Sequence, residues 1–372
     1  MKKYLLSFAV LSTVFFTACT TDNDKTPQTY PVASTSGVFV IGSGNLGKGI
    51  DGSLTYYDYV TKSATKDIFS SVNGISLGKT ANDVLRYGDK VYVVVDGENT
   101  VFVLNAKNMQ RIRQINITGT DMLGETQGAS PRRITAADDK IYVSTFGGYV
   151  AAIDTVNFEL AAKYEVGSYP EGLVVNNGKL YVANSDYGNG NASISVIDLN
   201  TKASQILTDE NIRNPQEIAV AGSDIYFLDY GQFGAAPTYA QEHAGVYRIS
   251  SNGVKVIVPN ATGMTCYDTK IYTFNDPYGA TGGATYTVYD IQSDYSYNID
   301  LKEIDSPAAI GFDPISNYLF VASRKMDGGY PSYSTDGYVN FYDTTFRKKG
   351  SFTCGVGPTR IAFNVGVKYV TY

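Results

Sequence analysis

A chain of 372 residues can make one large body or several smaller ones, and 43% hydrophobic residues is an ordinary globular composition. With 31 Tyr and 37 Gly beside no Trp and one His, it favours aromatic strands joined by tight turns over helices. The balance of 30 basic against 36 acidic side chains lacks the basic footprint of a nucleic-acid-binding protein, so no nucleic-acid partner is expected.

The first element in the chain is a leader. Lys2-Lys3 precede an apolar stretch, Tyr4 to Phe16, that is too short to span a bilayer stably, and Phe16-Thr17-Ala18-Cys19 follows. Small residues before a Cys at this distance resemble the bacterial lipobox, with Phe16 in place of the usual Leu. The resemblance implies that residues 1–18 are a lipoprotein signal peptide and that Cys19 becomes the lipidated N-terminus. The other reading is a plain signal peptide cut after Ala18. Acyl chains contribute about 0.8 kcal/mol per buried CH₂, enough for firm membrane anchoring by several chains. Residues 19–36 read as a polar, Pro-containing tether. Asp22 and Asp24, close behind Cys19, resemble the signal that sends Bacteroidetes lipoproteins to the outer face of the outer membrane. Removing residues 1–18 takes two lysines and no acids from a net charge of −6, leaving −8.

Residues 37–372 are repetitive. The aromatic residues of the second strand-like run in each unit are Phe39, Tyr92, Tyr142, Tyr181, Tyr226, Tyr272, Phe320 and Tyr369, spaced 53, 50, 39, 45, 46, 48 and 49 residues apart. In the cleanest copy, Pro170 to Leu199, apolar and polar residues alternate with the period of half-buried strands, and Asn176-Asn177-Gly178 makes the first turn. Most first strands open on Pro, at Pro131, Pro170, Pro215, Pro307 and Pro358, where a missing N–H costs no ladder bond. Third strands end mostly in Asp or Asn, and fourth strands such as Gln110 to Ile117 are polar, as befits an outer edge. Four strands per unit of this length predict an all-β, seven-bladed β-propeller, with eight blades less favoured. For seven, Arg360 to Asn364 supplies the missing first strand beside the N-terminal segment, and Lys368 to Tyr372 then competes with Val38 to Ile41 for one place.

The repeated Pro-x-x-Ile…(Ile/Leu)-Tyr-Val…Val-x-Asp pattern over Ser36 to Tyr372 resembles the YncE-like, surface-layer family of propellers. Gly37 to Gly47, followed by Gly52-Ser53-Leu54-Thr55-Tyr56-Tyr57-Asp58, is similar to its Bacteroidetes lipoprotein branch. That branch includes the BtuG-type proteins, which capture cobamides (vitamin B12 and relatives) and pass them to a TonB-dependent outer-membrane transporter. The resemblance implies a cell-surface lipoprotein with cobalamin as ligand, that transporter as partner, and no resident cofactor.

No Gly-x-Ser-x-Gly elbow is present, a single His cannot build a metal cluster, and Cys266 has no base nearby in sequence, so binding rather than catalysis is expected and no metal site. Four connections between second and third strands far exceed a hairpin turn, and such loops are where function is placed. They and a shorter fifth bring Tyr187, Tyr230, Phe233, Tyr239, His243, Tyr278, Lys325, Tyr330 and Tyr333 to one face, where rigid rings offer contact area and hydroxyls offer hydrogen bonds. Residues after the prolines, Arg132, Arg133, Glu171, Gln216, Glu217, Thr359 and Arg360, with Asn82 and Asp83, point toward the axis, where Arg132 could grip a ligand or the charges could pair among themselves. A flat, amide-bearing corrinoid suits such a face. A glycan makes nearly the same demand, and a protein–protein scaffold with no small ligand is the remaining reading.

Overall fold

Each strand-turn-strand run of the sequence folds onto its neighbour in chain order, giving seven four-stranded antiparallel sheets and two small two-stranded ones among the described residues. The computed structural model describes residues 29–234, 241–277 and 283–371. The leader, Cys19, Tyr239 and Tyr278 lie outside them.

In the copy that opens at Pro170, strands Pro170–Asn176, Lys179–Asn184, Ser193–Asp198 and Ser204–Leu207 pair in order, with Tyr181 opposite both Val174 and Val196. Period-two alternation understates what these strands bury. Val91 to Val95 are all fully buried, and so are Val101, Val103 and Leu104 in the next strand, because a middle strand packs against a neighbouring sheet on each face. The fourth strand, Arg111–Asn116, is exposed at all but one position. Every packing cluster joins two successive sheets. The first holds Ile41 and Leu54 against Val84 and Phe102, and the last holds Val38 and Val40 against Phe320 and Val339, so the seventh sheet meets the first. This ring of sheets is a β-propeller.

Closure is made by both chain ends. Thr29–Gly42 lies between Ser53–Asp58 and the C-terminal strand Pro358–Thr371. The two C-terminal stretches that seemed to compete are one 14-residue strand, so no place is contested. Asn364 fastens it: its side chain accepts from Arg86 Nε at 2.9 Å and donates to the Ala106 carbonyl at 3.3 Å, while its carbonyl accepts from Ser36 Oγ at 3.2 Å. Strand structure begins at Thr29, inside the stretch read from sequence as a tether to residue 36. Residues 29–33 and 367–371 belong to a second, small compact unit in which Tyr30, Val32, Val367 and Tyr369 are exposed.

The proline-led first strands do more than omit a donor. Register shifts fall directly after Pro131, Pro170, Pro215 and Pro307, and after Ala81 in the second sheet. A bulge there re-aims the residues that follow it. At Gly172 a Cβ would lie 2.8 Å from the Glu217 Cα, so only glycine lets these neighbouring first strands approach.

Candidate functional site

The bulges bring Arg132, Arg133 and Glu171 together, and set Glu217 beside Arg360. Arg132 donates through Nη2 and Nε to the Glu171 carboxylate at 2.9 and 3.1 Å, and through Nη1 to Asp96 at 2.9 Å. Glu171 is 2% exposed, and Arg133 Nε stands 3.9 Å from it. Arg133 also donates to the Asn82 carbonyl at 2.7 Å. Arg360 donates to Glu217 at 2.6 Å, with Asp83 at 3.7 Å. Burial pulls the Arg132 and Arg360 guanidiniums down, but the facing carboxylates outweigh it and hold both above the usual arginine range. Arg133 is held low, by burial first and by the Arg360 charge second. The charges therefore pair with one another between sheets, Arg132 with Glu171 on the next sheet and Arg360 of the first sheet with Glu217 of the fifth. The buried Nε–H groups of Arg133 and Arg360 have no hydrogen-bond partner.

Beside Arg360 is a cavity of about 270 Å³ lined by Glu217, Tyr230, Thr265, Cys266 and Met264 among others. Tyr230, expected at a loop tip, is half-buried here and packs with the core around Met264. Burial first, then the Glu217 carboxylate, raises the Tyr230 hydroxyl and pushes the Cys266 thiol up to about 12. Cys266 therefore stays a neutral thiol at ordinary pH. Cys266 is half-buried and Cys354 buried, and both are free of a disulfide.

Arg132 has an aromatic roof. Its guanidinium carbon sits 4.3 Å from the centroid of Phe146, which meets Tyr169 and Tyr187 edge-on at 5.3 Å each. Tyr169 and Tyr187 are 4.4 Å apart and are 37% and 57% exposed. Of the residues expected from sequence, Arg132 and Tyr187 thus share one cluster. Tyr333, exposed, lies under Arg324 at 5.1 Å, and its carbonyl accepts from Asn45 at 2.7 Å, which ties the last long loop to the first. Phe233 is exposed on a small hairpin of Gln232–Phe233 with Gln241–Glu242, and Tyr330 on another of Met326–Asp327 with Tyr330–Pro331. His243 and Lys325 are exposed as well; the His243 carbonyl accepts from the Tyr247 hydroxyl at 2.6 Å. Among the described residues no ring contact joins Phe233, Tyr330 or Tyr333 to the Phe146 cluster, and no group of three His, Cys, Asp or Glu could hold a metal ion.

Sequence reasoning passed over Phe146, Tyr169 and Asp96. Phe146 follows a second strand without a long loop, and Tyr169 immediately precedes the first-strand Pro170. Position at a strand end, rather than loop length, is the signal that would have found them.

Residues 36–227 match a domain of unknown function, DUF5074. The chain belongs to the DUF5074 family. No curated protein matches it. Among solved structures, this DUF5074 protein is similar to a Bacteroides uniformis protein provisionally assigned as a 6-phosphogluconolactonase, at a TM-score of 0.59 and 11% identity over 89% of this chain and 100% of the other. It is also similar to the Kuenenia stuttgartiensis hydrazine synthase, at 0.55 and 14% over 77% and 93%. At such identities the likeness is one of fold alone.

Proposed function

We propose that this DUF5074 protein is a lipid-anchored, surface-exposed binding protein that takes up a cobamide on its loop-bearing face and hands it to a TonB-dependent outer-membrane transporter. The observation that carries the reading is the pairing of exposed rings, Tyr187, Tyr330, Tyr333 and Phe233, with charged side chains such as Arg132 and Lys325 on the same set of loops and strand ends. A broad macrocycle with amide edges needs both stacking area and scattered hydrogen-bonding groups. The lipobox-like Phe16 to Cys19 and the likeness to the Bacteroidetes YncE-like branch supply the location and the partner. Binding is favoured over catalysis because the titratable groups gathered at the axis are tied up in ion pairs and the thiol of Cys266 is held protonated.

Calorimetric titration of the purified protein with cyanocobalamin tests this directly. Absence of heat together with unchanged tyrosine fluorescence overturns it. The same exposed tyrosines favour a second reading, a glycan-binding surface protein, which a carbohydrate panel separates from the first.

A further inference from the structure

Two of the exposed rings at Arg132 are held in a backbone conformation that large side chains avoid. Tyr169 has φ 49° and Tyr187 φ 50°, and Asp186, next to Tyr187 in sequence, has φ 45°. A bulky non-glycine residue in this region is an outlier whose cost the surroundings must offset. The surroundings do so densely. The Tyr169 carbonyl accepts from both Ser185 N and Ser185 Oγ at 3.0 and 2.9 Å, Ser168 O accepts from Asp186 N at 3.1 Å, and the Asp186 carboxylate accepts from Asn191 N at 2.9 Å. Neither ring is needed by the core: Tyr169 and Tyr187 touch each other and Phe146, and both remain open to solvent. Behind Phe146, the Arg132 guanidinium is shared between Asp96 and Glu171, and Arg133 Nε stands 3.9 Å from Glu171, so these two acids and two bases balance.

We infer that Phe146, Tyr169 and Tyr187 form a preorganised stacking platform for a flat, uncharged ring with hydrogen-bonding edges, a heteroaromatic base or a pyranose, whose edge meets the Arg132 ion pairs. The inference rests on reading this face as a small-ligand surface, but not on the ligand being a cobamide. The same left-handed backbone precedes the first strand at Thr80 and Ser130, so the conformation belongs to the repeat, and what sets this copy apart is the exposed ring it carries there. Stacking on tyrosine is tolerant of ring identity, and a charge-balanced network beneath the rings offers no unpaired cation to an anionic substituent, so an uncharged ring is the ligand expected.

The test is calorimetric titration of the intact protein with adenosine, adenosine monophosphate, cellobiose and cyanocobalamin, repeated on Tyr187→Gly, Tyr187→Phe and Tyr295→Ala, the last an exposed ring on an outer strand. The platform predicts that a ring probe binds the wild type, that Tyr187→Gly weakens it about ten- to hundredfold, that Tyr187→Phe, which keeps the ring, retains most of it, and that Tyr295→Ala, away from the platform, leaves it unchanged. Because glycine accepts φ 50° freely, Tyr187→Gly should melt no lower than the wild type, which separates lost binding from lost folding. Adenosine should bind at least as tightly as its monophosphate. Binding of adenosine or cellobiose that depends on Tyr187, with none of cyanocobalamin, supports the platform and refutes the cobamide reading. Equal cyanocobalamin affinity in wild type and Tyr187→Gly refutes the platform and leaves that reading standing. Failure of every ring probe to bind at millimolar concentration, or tighter binding of the monophosphate, overturns the inference as stated.

Discussion

Replacing Glu171 by Gln isolates the worth of the charge at the centre of the ion-pair network while keeping the shape of the side chain. Glu171 is 2% exposed, accepts from Arg132 at 2.9 and 3.1 Å, and forms a looser ion pair with Arg133 at 3.9 Å. Arg132 keeps Asp96 when the charge is removed, whereas Arg133 keeps only the Asn82 carbonyl as a close acceptor and still faces the like charge of Arg360. Stranding a buried charge in this way costs about 3–5 kcal/mol, and the amide's residual hydrogen bonding places Gln at the lower end, about 3 kcal/mol. With an unfolding entropy of roughly 2.1 cal/mol/K per residue, a body of this size should lose about 4 °C in Tm. Thermal melts followed by circular dichroism, with urea midpoints as a check, measure it. Adding Arg133→Met should return part of the loss, because it removes the stranded charge rather than another partner. A Glu171→Gln melt within about 1 °C of the wild type would refute the reasoning, since it would mean the network contributes no net electrostatic stability.

Other consequences are simpler. Phe320→Ala deletes a fully buried ring that stacks on Phe341 at 5.2 Å between the last and first sheets, and should cost about 3–5 kcal/mol in a denaturation series. Gly231→Ala should disorder the hairpin carrying Phe233: Gly231 has φ 64°, a Cβ there would collide with the Glu242 carbonyl, and limited proteolysis should show new cleavage near that loop with the rest of the body intact. Burial pushes the Tyr142, Tyr272 and Tyr342 hydroxyls from 10.0 up to about 12. The unfolded chain therefore releases those protons first, so their contribution is complete below pH 10 and is lost as pH rises from about 10 to about 12, which tyrosinate absorbance and melts across that range will show. Cys354, buried and pushed up to about 12, should resist an aromatic disulfide reagent at pH 8 in the native protein and react on denaturation, whereas half-buried Cys266, also pushed up to about 12, should react slowly; prompt native labelling of Cys354 would contradict its burial.

The recurrence of an aromatic residue every 39 to 53 positions determined that the chain folds as repeated four-stranded units, because strand period, turn residues and repeat length are local properties. The same local signals identified the second strands: Tyr92, Tyr142, Tyr226 and Tyr272 are all buried there. They also placed Arg132 and Glu171 toward the axis, through the prolines that precede them. What they could not supply was anything that depends on register across the ring. The single strand Pro358–Thr371 resolves two apparent competitors only because it pairs with Thr29–Gly42, more than 300 residues away in sequence. The bulge after Pro131 is visible only once Pro131 is seen opposite Thr145 and Ile134 opposite Val143, and that offset is what points Arg132 at Glu171. Long loops advertised Tyr230, which folding drew instead into the wall of a cavity. The short connections at Phe146 and Tyr169 advertised nothing, yet neighbouring sheets bring them within 5.3 Å of each other and of Tyr187. Repetition is written along the chain, but the site is made between copies, where residues far apart in sequence meet, and only the tertiary structure decides which of them do.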